Sequence, residues 1–346
     1  MGGEMELNGL PSAISQDLRQ LTKGVVGRWT SSGRGALSLV FRALRGKGVH
    51  RVHLPAFICG SVVAAAKASG LDCSYYPVGW DLSPEPDPPR RAAVLFVDYF
   101  GWRSEAIQVF AQNAEFDSPV VEDACQALLS HWPAERTAGH HVVLSPRKFA
   151  PVTLCGWSSL ADYTPGASSE LERMAWQSLA SRLVKGTYMS HSEQPVNRDL
   201  ESFYLASFAE IEGYLDGNCD PTEITTLAAS LIRRVDWRGV GSSRRRNWVA
   251  LNECLAGHVE PLFDRLPTSV VPLGYVVKLR DRDKIRRMLA ERRVFCAVHW
   301  PLAQDVSASS FPTSAMLSRS LLTLPIDQRY ECGDMERLAE IVRSVV

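Results

Sequence analysis

Val120-Val-Glu-Asp-Ala-Cys-Gln-Ala127 and, after a spacer, Val142-Val-Leu-Ser-Pro-Arg-Lys-Phe-Ala-Pro-Val152 decide the fold of this chain. Each half opens on a short apolar run, Pro119–Val121 and Val142–Leu144, that passes straight into polar residues. Short apolar runs bounded by turn formers read as buried strands. In an open α/β sheet, ligands sit outside the carboxyl ends of neighbouring strands. The first strand then delivers Asp123 and Gln126 to that edge, and the second delivers Ser145 and Lys148.

Upstream, the same pattern repeats. Apolar residues at 36, 37, 40, 41 and 44 have helical spacing, with Ser31, Ser32 and Gly33 at the start of that helix. Free backbone N–H groups at such a terminus can hold an anion. Arg51–Pro55 and Leu71–Pro77 read as strands around a helix at Ser61–Ser69 that Gly70 stops. The Pro-rich segment Asp81–Arg90 must be a loop. Ala92–Tyr99 is a continuous apolar run expected to be a fully buried strand, and Ser104–Ala114 is expected to be a helix. Strands alternating with helices over this length imply a mostly parallel sheet covered by helices on both faces, an α/β architecture.

Downstream the pattern turns helical. Helices are expected at Ser168–Lys185, Glu201–Leu215, Pro221–Val235 (with Pro221 at the first helical position), Ser242–Ala256, Arg282–Arg292 and Asp334–Val345. Strands are expected at Val270–Leu279, Cys296–His299 and Leu321–Leu324. Ser15–Leu21 reads as a short helix in an N-terminal arm. The division is an arm over 1–27, a large domain over 28–235 and a small C-terminal α/β domain over 236–346. The basic run Arg244-Arg245-Arg246 reads as a solvated helix face.

With 346 residues, the chain is long enough for two domains. Lys plus Arg equals Asp plus Glu at 38 each, so bulk charge gives no reason to expect nucleic acid or a membrane surface as partner. The eight cysteines include no C-x-x-C pair, and the histidines show no metal-ligand spacing. Reduced thiols, no metal and a cytoplasmic location are expected.

An acid, an amide, a hydroxyl and an amine at one strand edge suit a cofactor with a charged ring and a phosphate. A lysine there is either a surface cation or a Schiff-base former that can shed its proton. Asp123 is either a helix cap or a functional carboxylate. Gln126, three residues on, would share its face if the segment were helical.

Six ordered stretches resemble the DegT-type nucleotide-sugar aminotransferases, enzymes of fold type I that use pyridoxal 5′-phosphate (PLP). They are Ser32-Gly-Arg-Gly-Ala-Leu37, Leu54-Pro-Ala-Phe-Ile-Cys59, Glu122-Asp-Ala-Cys-Gln-Ala127, Ser145-Pro-Arg-Lys148, Arg245-Arg-Asn-Trp-Val-Ala-Leu251 and Leu324-Pro-Ile-Asp-Gln-Arg-Tyr330. His299-Trp-Pro-Leu302 is similar to a segment of the family's small domain. The resemblance implies that Lys148 carries PLP, Asp123 pairs with its pyridine nitrogen and Gln126 bonds its ring oxygen. It puts Gly33, Arg34 and Gly35 at the phosphate, mainly through backbone N–H groups. Cys59 stands where the family often has an aromatic that stacks on the ring, with Phe57 supplying part of that packing. It further implies a homodimer with the active site at the subunit interface, and amino transfer, from glutamate as donor, to a keto sugar nucleotide in polysaccharide or secondary-metabolite biosynthesis.

The chain departs from the family pattern in three places. The serine five residues before the lysine is Val143 here, leaving Ser145 for the phosphate. The Gly-Gly pair after the lysine is reduced to Gly156. The asparagine motif that reaches the neighbouring subunit's phosphate is missing. These departures keep open a PLP enzyme of the same fold acting on a non-sugar substrate in a natural-product pathway, or a protein of this fold without turnover.

Overall fold

The computed structural model describes residues 1–9, 16–112, 118–130, 139–163, 166–190 and 198–346. Seven strands form the central sheet: β1 (Arg28–Thr30), β2 (Arg51–Pro55), β3 (Asp72–Tyr76), β4 (Ala92–Val97), β5 (Val120–Asp123), β6 (His140–Leu144) and β7 (Gly156–Ser158). Their order is β1-β7-β6-β5-β4-β2-β3. The five strands from β3 to β6 run parallel, and β7 pairs antiparallel with both β6 and β1. Every residue of β4 and β5 is buried, as a parallel sheet covered on both faces requires.

Side-chain alternation along each strand feeds two separate cores. Val143 joins Leu37 and Phe41 of α1 (Gly33–Gly46), Val62 of α2 (Gly60–Ala68), and Phe96 on one face. Its neighbours Val142 and Leu144 join Trp157, Leu179 of α4 (Ser169–Ser190), Ile232 of α6 (Thr226–Arg233) and Trp237 of α7 (Trp237–Leu255) on the other. Helix α3 (Ala106–Gln112) follows β4, and α5 (Arg198–Gly217) packs along α4. A second, antiparallel sheet orders β10 (Leu321–Leu324), β9 (Tyr275–Lys278) and β8 (Glu260–Pro261). It shares a core with α7, α8 (Arg282–Glu291) and α10 (Cys332–Arg343), while α9 (Pro312–Ser320) leads into β10. Among the described residues, no helix is long and apolar enough to cross a membrane. All eight cysteines are free thiols.

Five expectations are corrected. Pro221 does not open a helix: α6 starts five residues later than a Pro-led start would put it, with Thr225 Oγ1 accepting from Ala228 N. Residues 220–223 are instead held extended by bridges of Thr222 to Gly166 and Glu223 to Thr30. The run Arg244–Arg246 is not a solvated face. Arg244 is 2% exposed, and its guanidinium donates to the carbonyls of Leu273 and Phe149 and lies 4.9 Å from the centre of the Phe149 ring. Cys296–His299 forms only an isolated bridge between Ala297 and Thr323. Gln126 sits in a turn, not on a helix, because Ala127 N bonds back to Ala124 O. In the arm, a single 3₁₀ turn covers Leu18–Gln20, capped by Asp17; Ser15 lies outside the described residues. So do residues 113 and 114 at the end of the expected Ser104–Ala114 helix.

Candidate active site

The carboxyl ends of β4, β5 and β6 and the amino ends of α1 and α2 surround a cleft with an empty volume of about 580 Å³. Asp123, the last residue of β5, borders it, and its Oδ1 accepts from Cys125 N at 3.0 Å. This local bond turns the chain sharply and brings Gln126 to the same cleft.

Gln126 is 1% exposed, and its Oε1 accepts from Phe100 N at 2.8 Å. Phe100 holds φ at 56°, a left-handed conformation disfavoured for such a side chain. The next residue, Gly101, has φ 110°, and a Cβ there would stand 2.5 Å from Val271 O. The sharp bend after β4 therefore fixes the Gln126 amide in one orientation. With Oε1 engaged, Nε2 is buried and has no acceptor among the described residues.

Lys148 closes a 3₁₀ turn over Pro146–Lys148 that follows β6 and also borders the cleft. Burial, then the neighbouring Lys148, push the imidazole of His299 down to about 3, so it is neutral beside the amine. His299 Nδ1 shares a hydrogen bond with Thr323 Oγ1 at 3.0 Å. Trp300, next in sequence, borders the cleft, and its ring centre lies 5.5 Å from that of Phe57. Phe57 is 1% exposed and packs behind, against Tyr99 and Trp300, whereas Cys59 borders the cleft itself. Cys59 Sγ lies 3.1 Å from Ser61 Oγ, another residue of that wall.

At the start of α1, Ser32 Oγ caps the helix by accepting from Gly35 N at 2.9 Å. Gly35 N–H is thus occupied, while the N–H groups of Gly33 and Arg34 have no acceptor among the described residues. Gly33 sits in a tight place: a Cβ would stand 3.0 Å from Cys125 Sγ and 3.4 Å from Ser145 Cβ, so these neighbours would have to give way by a few tenths of an ångström. Gly156 is tighter still, since its Cβ would stand 2.2 Å from Ser32 O. The loop glycine after the lysine is what lets β7 lie against the start of α1.

The expected site residues Lys148, Asp123, Gln126, Ser145, Gly33, Arg34 and Cys59 therefore come together at one cleft. The sequence reading passed over Arg147, Ser61, Leu215 and Trp300, which also border it. Trp300 lies in the family-like segment His299–Leu302, a signal that could have found it.

PLP fits what is present. The orphaned Gln126 Nε2 is a buried donor for the ring oxygen, Asp123 supplies an anion for a protonated pyridine, and the open N–H groups of α1 suit a phosphate.

No protein-family model matches the sequence, and a search of curated proteins finds no match. Solved structures do match. A DegT DnrJ EryC1 StrS aminotransferase from Brucella abortus shares 17% identity, with a TM-score of 0.65 over 94% of this chain and 88% of that one. Spr1654 from Streptococcus pneumoniae in its PLP form shares 16%, with a TM-score of 0.68 over 99% and 93%. DesI, solved in the presence of its TDP-sugar product, shares 19%, with a TM-score of 0.66 over 99% and 93%. The chain has the aminotransferase fold of type I.

Proposed function

We propose that this chain is a PLP-dependent aminotransferase of the DegT type that places an amino group on a keto sugar carried by a nucleotide. The observation that carries the reading is that Gln126, whose buried Nε2 has no acceptor among the described residues, borders the same cleft as Asp123 and Lys148. The fold shared with the Brucella aminotransferase, with the PLP form of Spr1654 and with DesI supports it.

PLP supplies an electron sink once its pyridine nitrogen is protonated. In this chain, the Asp123 carboxylate holds that proton in place, and Gln126 orients the ring through its oxygen. Lys148 Nζ would hold the cofactor's aldehyde carbon, and as a free amine it would take a proton from the α-carbon of the amino donor, with glutamate the expected one, and return it one position along. Neutral His299 beside Lys148 adds no second positive charge to oppose that proton transfer. Trp300 and Cys59 form the walls that limit water around the reacting atoms.

By the same reading the protein is a cytoplasmic homodimer with its active site at the interface, serving polysaccharide or secondary-metabolite biosynthesis. Its large and small domains meet near residues 235 and 236. The test is spectroscopic. Protein loaded with PLP should change its visible absorbance on adding L-glutamate, and a keto sugar nucleotide should restore it. A spectrum unmoved by every amino donor would overturn the assignment.

A further inference from the structure

The wall of the cleft nearest α1 carries two arginines. It is built from Ser32, Gly33, Arg34, Ser145, Arg147 and Leu215. Arg34 reaches α5 through Leu215 O and, at 2.6 Å, Asp216 Oδ1. Arg147 reaches the same helix, with Nη1 2.6 Å from Glu212 Oε1 and Nη2 3.4 Å from Oε2. Glu212 and Asp216 are four residues apart, so they share one face of α5. That face braces both guanidinium groups against a single wall, beside the open N–H groups of Gly33 and Arg34.

A guanidinium held by a carboxylate on one edge still has donors free on its others. A phosphate monoester is the ligand whose charge and oxygen spacing such a fork matches. One phosphate ligand that the family resemblance implies is absent from this wall. The residue five before Lys148 is Val143, which is buried in the α1-side core. We propose that the Arg147 guanidinium binds the phosphate of the cofactor, together with Ser145 and the amino end of α1. This rests on the PLP reading above. Glu212 acts through Arg147 as a positioning residue.

The experiment compares PLP with pyridoxal, which lacks the phosphate, in titrations of the full-length apoprotein. Visible absorbance and Trp fluorescence quenching are the readouts, since Trp300 borders the cleft. Arg147→Met should weaken PLP binding by about 10- to 100-fold, the usual effect of losing a charge-assisted hydrogen bond. Pyridoxal binding should change less than about twofold. The Glu212 side chain is 47% exposed and the nearby Glu4 keeps its pair with Arg182, so this substitution leaves neither carboxylate without water or a cation. Should Arg147→Met fail to fold, Arg147→Lys keeps the charge without the fork and should still weaken PLP selectively. Equal weakening of both ligands, or none of PLP, would overturn the proposal. Wild-type protein that binds neither ligand would instead overturn the PLP reading, and this proposal with it.

Discussion

Glu122 and Asp123 are adjacent in sequence and opposite in environment. The pleat sends Asp123 to the cleft and Glu122 to the far face of the sheet, where Arg103 Nε lies 2.6 Å and His140 Nε2 2.7 Å from its oxygens. Burial opposes its charge, but these two partners hold the Glu122 carboxyl down at about 2. Asp98 lies in the same cluster, fully buried, with no donor to either oxygen among the described residues. Burial, then the Glu122 charge, raise its pKa well above the usual range, so Asp98 is a neutral acid in the folded protein. The unfolded chain releases that proton above the ordinary aspartate pKa and the folded chain does not. Stability is therefore lost as pH rises through that window. Asp98→Asn keeps a neutral donor and removes this linkage. It should raise Tm relative to wild type, with a gap that widens as pH rises above the ordinary aspartate pKa in thermal melts and closes in acid. A gap independent of pH would contradict the assignment. At this scale the sequence showed Asp123 and Lys148, because each follows an apolar strand. It could not show Asp98, Arg147 or the orphaned amide of Gln126, whose roles depend on partners 24 to 65 residues away.

Among the elements, the amino end of α1 depends on β7 most directly. β7 is three residues long and carries no periodicity, which is why the sequence did not reveal it or β1. The longer elements were legible: β2, β4, α1, α8 and β10 all lie within a few residues of expectation. Pro221 misled because Asp-Pro also opens extended segments, and here Thr225 is the cap. Arg244 misled because a basic triplet cannot show which member points inward. In the fold, burial pushes Arg244 down to about 10, although Asp327 acts in the opposite direction. The loop glycine makes the dependence of α1 on β7 testable. Gly156→Ala forces a Cβ against Ser32 O, so the start of α1 must shift. The variant should bind PLP at least ~10-fold more weakly in absorbance titrations and lose roughly 1–3 kcal/mol in urea denaturation. Unchanged cofactor affinity would show that the position of α1 does not set the phosphate site.

Over the whole molecule, the site is a product of topology. The sheet order puts β4, β5 and β6 side by side, so residues far apart in sequence share one edge. The first residues of the chain join the two sheets' surroundings. Glu4 pairs with Arg182 on α4, Gly2 bridges Phe295, and Glu6 pairs with both Lys185 and Arg329. The sequence reading had these residues as an arm and had no means of seeing what they grip. The alternation of strands and helices was enough to imply the mostly parallel sheet, while the contribution of Trp300 from beyond α8 to the cleft needed the fold. On the proposed reading, Lys148 holds the cofactor covalently at this edge. Borohydride reduction of PLP-loaded protein, followed by peptide mass spectrometry, reads out that bond. One phosphopyridoxyl adduct is expected, on Lys148 and lost in Lys148→Ala; an adduct on another lysine, or none, would contradict the assignment.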